Sequence, residues 1–174
     1  MALKRTRANF PPPPLRDAPA RWVSIDPASG RKPSLAVRWE FTDAVGFVDV
    51  RHAKHAEVAN VMSDEDLVVL EGGGFVGKNA GSALALERVR GRFEAHAAAM
   101  GKRYVEVTPD QWRSVLAIAA RPRKVAVAAG RWRCAMLGRS ASDPHLPLAA
   151  EASNDDKRAA LLIGWACVRA WGWL

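Results

Sequence analysis

The sequence predicts an α/β fold: one mixed five-stranded sheet, made of a three-stranded antiparallel meander plus two parallel strands, with helices on both faces. Two observations carry this. Apolar and β-branched runs over the first fifty residues are too short for helices and are separated by turn residues. After them, short apolar runs alternate with long stretches of helical periodicity, the pattern of strands and helices packed in layers. At 174 residues, 49% of them hydrophobic, the chain is long and apolar enough to bury the core such a fold needs.

Residues 1–21 read as a flexible basic arm ahead of a domain over 22–174. Lys4, Arg5 and Arg7 precede the run Pro11 to Pro14, which favours polyproline II and is incompatible with a helix interior or a central strand. Such an arm is either a solvated tail or an electrostatic arm that follows a phosphate backbone. Trp22 to Ile25 is the first strand, and it runs into the turn sequence Asp26-Pro27-Ala28-Ser29-Gly30. Ser34 to Phe41 and Val45 to Val50 complete the meander, and residues 52–62 are expected as a short helix. Leu67 to Leu70 is the compact apolar run of a buried strand and stops at Glu71. A helix is predicted over 82–100, with Ala83, Leu86, Val89, Phe93 and Ala97 on its apolar face and Gly101 as its stop. Tyr104 to Val107 is the fifth strand. Thr108-Pro109-Asp110 then opens a helix through Leu116, because a threonine hydroxyl accepts from first-turn amides and proline suits the first helical position. A basic helix is expected over 124–137, a loop over 140–147, and a last helix from Asp155 to Trp171 capped by Asn154 or Ser153.

Charge narrows the partner class. A net charge of +8 and a pI near 10.2 point to a polyanion, of which nucleic acid is the commonest, without distinguishing nuclease from architectural binder. The chain contains no apolar run of membrane-spanning length, and its basic start has no hydrophobic stretch of the secretory kind, so no membrane partner is expected. Cys134 and Cys167 lack ligand-spaced partners and read as reduced thiols, which places the protein in a reducing cytoplasm, bacterial or of a phage-infected host. His52, His55, His96 and His145 are scattered and read as surface residues. Trp165, Ala166 and Val168, with Trp171 and Trp173 beyond them, are candidates for core or for a self-association patch.

Three acidic positions stand where strands and a helix begin or end: Asp26 after the first strand, Glu71 after the fourth, and Asp155 and Asp156 opening the last helix. Each has a plain structural reading, as a turn starter, a strand end meeting water, or a helix cap. Together, in a basic chain, they form a set of oxygen donors suited to hard divalent cations. Gly72-Gly73-Gly74-Phe75-Val76-Gly77-Lys78 resembles a phosphate-binding loop, but Asn79 stands where that motif requires serine or threonine, so nucleotide binding is not expected. Arg121, Arg123, Lys124, Arg131, Arg133 and Arg139 form a second basic cluster, either a solvated face or a set of phosphate contacts.

The stretch Ile25 to Gly30 with Leu35-Ala36-Val37, the pair Leu70-Glu71 followed by Lys78 to Leu84, Arg90-Gly91, Val105 to Trp112 around Thr108-Pro109, and Asp155 to Leu162 occur in an order that resembles the RuvC-type Holliday junction resolvases of the RNase H-like superfamily, from about residue 22 to 170. The resemblance implies an RNase H-like fold and a structure-specific endonuclease acting on four-way junctions or related branched DNA as a homodimer. It implies two Mg²⁺ ions, replaceable by Mn²⁺, held by Asp26, Glu71 and Asp156 with Asp155; from the basic cluster, Lys124 is the residue expected near the scissile phosphate. Phe75, Lys78, Asn79, Arg90, Arg121, Arg123, Lys124 and Arg131 are then expected to meet DNA. The sequence departs from the family at Ala159, where a second acid three residues after Asp156 is usual. Two other readings stay open: a related nuclease acting on flaps, forks or RNA–DNA hybrids, and a non-catalytic nucleic-acid binder of the same fold.

Overall fold

The computed structural model describes residues 10–17, 19–28, 34–41, 45–53, 62, 66–73, 80–118 and 155–173. The strands are β1 (Arg21–Asp26), β2 (Ser34–Phe41), β3 (Val45–Ala53), β4 (Leu67–Glu71) and β5 (Arg103–Val107). The helices are α1 (Ala80–Ala99), α2 (Pro109–Val115) and α3 (Asp155–Trp171). One mixed sheet has the order β3–β2–β1–β4–β5. β1–β2 and β2–β3 are antiparallel, whereas β1–β4 and β4–β5 are parallel.

Alternation along the strands divides the core into two layers. Trp22 on β1, Leu35, Val37 and Trp39 on β2, Leu67 and Val69 on β4 and Val107 on β5 face α2 and α3, burying Trp112, Leu116 and residues 160–163 and 166–168. Val23, Ile25, Ala36, Val68 and Leu70 face the other way, onto Val89, Phe93 and Ala97 of α1 and onto Met62. β1 and β4 are central and covered on both sides, which is why they read as continuous apolar runs rather than as alternation.

The order of contacts fixes the direction of α3. Trp22, near the start of β1, meets Trp173 edge-on with ring centroids 5.8 Å apart, beyond the C-terminal end of α3. Trp39, which pairs with Trp22 across the ladder, stacks on it at 5.1 Å and passes so close to Gly164 that any side chain there would collide with the indole. Farther along β1, Ser24 donates from Oγ to the carbonyl of Ala160 at 2.8 Å and accepts from Trp39 Nε1 at 2.9 Å. Helix α3 thus runs antiparallel to β1, and its first turn lies toward the Asp26 end.

Several elements differ from expectation. β3 continues to Ala53 because its ladder with β2 extends to the Ser34–Ala53 pair, so His52 lies in a strand rather than at the start of a helix. The rest of that expected helix apart from Met62, and the helix expected over 124–137, lie outside the described residues. Ala166 and Val168, candidates for a self-association patch, are fully buried within the chain, and Trp165, Trp171 and Trp173 pack against the same core. Part of the expected arm is docked on the domain. Phe10 meets the Trp171 ring edge-on, Trp171 Nε1 donates to the Pro11 carbonyl at 2.9 Å, and Arg103 Nη1 donates to the Pro14 carbonyl at 2.7 Å. Among the described residues no helix is long and apolar enough to cross a membrane.

Candidate metal centre

Asp26 is the last residue of β1 and Glu71 the last of β4. The two strands are adjacent and parallel, with Ile25 opposite Leu70, so Asp26 and Glu71 are the next residues along the same ladder. Neighbouring strands lie about 5 Å apart, and residues in register in parallel strands project to the same face. That face carries Trp22, Ser24, Leu67 and Val69 and is covered by α3. Both acids are part-buried, whereas the four residues before each of them are buried. The apolar run of each strand therefore ends with its carboxylate at the rim of the sheet.

Helix α3 reaches the same rim. Asp155 and Asp156 are its first two residues, and Asp156 precedes Ala160 by about 6 Å of helix rise. Since Ala160 is held to Ser24, two residues before Asp26, the backbone of Asp155 and Asp156 begins beside the end of β1. A helix starting there also directs the positive end of its dipole toward the carboxylates.

The end of β4 is held from both sides of the sheet. From the α2 side, Trp112 donates from Nε1 to Glu71 Oε1 at 2.9 Å. Thr108 sets the position of that indole. Its side chain accepts from Gln111 N at 3.3 Å while Gln111 Oε1 accepts from Thr108 N at 2.8 Å, a closed capping box directly after β5. From the α1 side, Arg90 donates from Nε to the Glu71 carbonyl at 3.0 Å and from Nη2 to the Gly72 carbonyl at 3.1 Å, and its Nη1 pairs with Glu87. Gly72 itself is needed by space, because a Cβ there would come within 2.8 Å of the Glu106 Cβ. On that side Tyr104 donates to Glu106 Oε1 at 2.8 Å. Burial, with the Glu106 carboxylate second, raises the phenol pKa far above its ordinary range, so the hydroxyl stays a donor.

The expected residues thus fall into three groups. Asp26 and Glu71 come together, and the helix carrying Asp155 and Asp156 starts at the same rim. Arg90, expected at the DNA, is 5% exposed and its guanidinium lies against main-chain carbonyls of the site, because the sheet edge leaves two strand-end carbonyls facing α1. Phe75, Lys78, Asn79, Arg121, Arg123, Lys124 and Arg131 lie outside the described residues. Sequence reasoning missed Trp112 and Ser24. The first sits one turn beyond the cap Thr108, a spacing that returns a side chain over the strand just left. The second carried no signal beyond being a polar residue inside an apolar strand.

Among the described residues, no three His, Cys, Asp or Glu side chains form a metal-binding group. The Asp26 and Glu71 pair alone offers all-oxygen donors, the chemistry preferred by Mg²⁺ and Mn²⁺, which keep several waters and need few protein ligands.

No family model and no curated protein matches the chain. Among solved structures, it is similar to T. thermophilus RuvC in complex with a Holliday junction substrate, at 15% identity over 88% of this chain and 96% of that chain, with a TM-score of 0.59. The Fowlpox virus resolvase in complex with substrate Holliday junction DNA is similar at 11% identity over 86% and 97% of the two chains, with a TM-score of 0.62. The yeast mitochondrial Holliday junction resolvase Ydc2 is similar at 9% identity over 91% and 84%, with a TM-score of 0.50. At these identities the likeness is one of fold, and the chain has a RuvC-like resolvase fold.

Proposed function

We propose that this protein is a divalent-metal-dependent endonuclease that resolves four-way DNA junctions or closely related branched DNA. The observation that carries the reading is the arrival of Asp26 and Glu71 on adjacent parallel strands, on the sheet face over which α3 begins with Asp155 and Asp156. The RuvC-like fold and the net charge of +8 support it.

In this reading Asp26, Glu71 and Asp156, assisted by Asp155, would hold the divalent cations. A divalent cation there supplies Lewis acidity at the phosphodiester and makes water nucleophilic near neutral pH. The carboxylates orient the cations and present no competing hydrogen-bond donor to the anionic phosphate. Lys124 would contribute a positive charge to the scissile phosphate, and Lys78, Arg121, Arg123, Arg131, Phe75 and Asn79 would supply the DNA contacts. The products carry 5′-phosphate and 3′-hydroxyl ends. Two symmetric cuts in a four-way junction call for two copies of the chain about a two-fold axis.

The test is cleavage of a panel of labelled substrates: four-way junction, flap, fork, linear duplex and RNA–DNA hybrid, with Mg²⁺, Mn²⁺ or EDTA. The reading expects cation-dependent cuts at symmetric positions in the junction, giving ligatable nicked duplexes. Preferential cutting of flaps or hybrids would reassign the substrate. Salt-sensitive junction binding with no cleavage under either cation would make the protein a binder and not a nuclease.

A further inference from the structure

Glu71 occupies an unusual setting for a carboxylate at a sheet edge. One of its oxygens accepts from the Trp112 indole at 2.9 Å, its own carbonyl accepts from Arg90 Nε, and the next carbonyl accepts from Arg90 Nη2. Trp112 is 5% exposed, belongs to the core layer under α3, and has the Arg113 guanidinium 5.0 Å from its ring centroid. Filling that space requires bulk but no N–H. The indole adds to its bulk a rigid neutral donor aimed at the carboxylate.

Neutrality matters. A lysine or arginine on the Glu71 carboxylate would restrain it but also compensate its charge, and so compete with a cation. Among the described residues, the Arg90 guanidinium binds main-chain carbonyls from the opposite side of the sheet, and the carboxylate receives an uncharged N–H from Trp112. This hydrogen bond restricts the rotamer of the side chain without itself adding a compensating positive charge. Partners of this kind commonly change metal affinity about 10- to 100-fold when removed, because a ligand that is already oriented loses less freedom on binding.

We infer that Trp112 is a positioning residue for Glu71: its indole N–H holds one carboxylate oxygen so that the side chain is pre-oriented toward a divalent cation shared with Asp26. The inference rests on the nuclease reading above and adds to it a residue outside the acidic set.

The experiment is a double-mutant cycle read by Mn²⁺ binding, with free Mn²⁺ followed by its electron paramagnetic resonance signal, on wild type, Trp112→Phe, Glu71→Gln and the double variant. Wild type is expected to bind Mn²⁺, Trp112→Phe about ten-fold or more weakly, and the double variant no more weakly than Glu71→Gln alone. Unchanged affinity in Trp112→Phe, or an equal loss with and without the Glu71 carboxylate, overturns the inference and leaves the nuclease reading standing. A wild-type chain that takes up no Mn²⁺ overturns both. If Trp112→Phe does not fold, the wild-type indole N–H resonance of Trp112 decides. It should lie downfield and move on addition of Mg²⁺, with both features lost in Glu71→Gln, and a resonance indifferent to Mg²⁺ and to Glu71→Gln overturns the inference.

Discussion

The two ends of β1 are built from opposite materials. At its start Trp22 is fully buried, stacked on Trp39 with planes 12° apart and met edge-on by Trp173, which is itself 4.6 Å from Trp171. Aromatic pairs of this kind add about 0.5–1.5 kcal/mol each beyond their burial. Four residues farther on, Asp26 is part-buried at the sheet rim, next to a Glu71 held by a few directional hydrogen bonds. The aromatic end fixes α3 against the sheet, and the acidic end uses that fixed geometry. In the proposed reading, stability and chemistry are thus separated along one strand, with the Trp39–Ser24–Ala160 hydrogen-bond chain between them.

Substitutions at the two ends should therefore differ in kind. Asp26→Ala or Glu71→Ala is expected to abolish cleavage while leaving junction binding and the thermal midpoint near wild type, as measured by gel-based cleavage, mobility shift and calorimetry. Retained cleavage with lost binding would contradict the assignment. At the other end, Gly164→Ala places a Cβ 2.4 Å from the Trp39 ring, so α3 must shift. A loss of about 1–3 kcal/mol is expected in urea unfolding, the usual cost of overpacking. A neutral Gly164→Ala would mean that α3 is not pressed against Trp39. Ser24→Ala lies between the two ends. It removes a buried partner of both Trp39 and Ala160 and should cost about 1–3 kcal/mol while also lowering activity, because α3 carries Asp155 and Asp156.

The smallest effect expected is on pH. Cys167 is fully buried, and burial pushes its thiol well above the ordinary value; Tyr104 is raised by burial and then by Glu106. Both groups keep their protons in the folded chain, whereas in the unfolded chain they lose them near pH 8.5 and pH 10, to about a unit. The stabilisation is complete below those values and declines as pH rises above about 8.5, since the folded state then binds more protons. Urea midpoints measured between pH 7 and 10 should fall monotonically, and Cys167 should resist alkylation until the chain unfolds.

Much of this was legible in the sequence, and for identifiable reasons. The central strands announce themselves because burial on both faces demands continuous apolar runs, as in Leu67 to Leu70. Thr108-Pro109 marks a helix start through local capping chemistry alone. Asp26 and Glu71 stand out because each ends such a run. By contrast, β3 outruns its apolar pattern because its length is set by pairing with β2, a non-local fact. Arg90 is expected at the DNA, and only the placement of α1 against the end of β4 turns it inward. Trp112 enters the sequence reading only as the end of the stretch Val105 to Trp112, and the fold buries it in the core. Its hydrogen bond to Glu71 depends on how β5 and α2 meet, and no local pattern encodes that.

The most direct test is a crystal soaked in Mn²⁺, with anomalous scattering collected to locate the ions. The account predicts anomalous density touching carboxylate oxygens of both Asp26 and Glu71, at the start of α3. Density that avoids this rim, or Asp26 and Glu71 carboxylates turned apart with no ion in common, would contradict it.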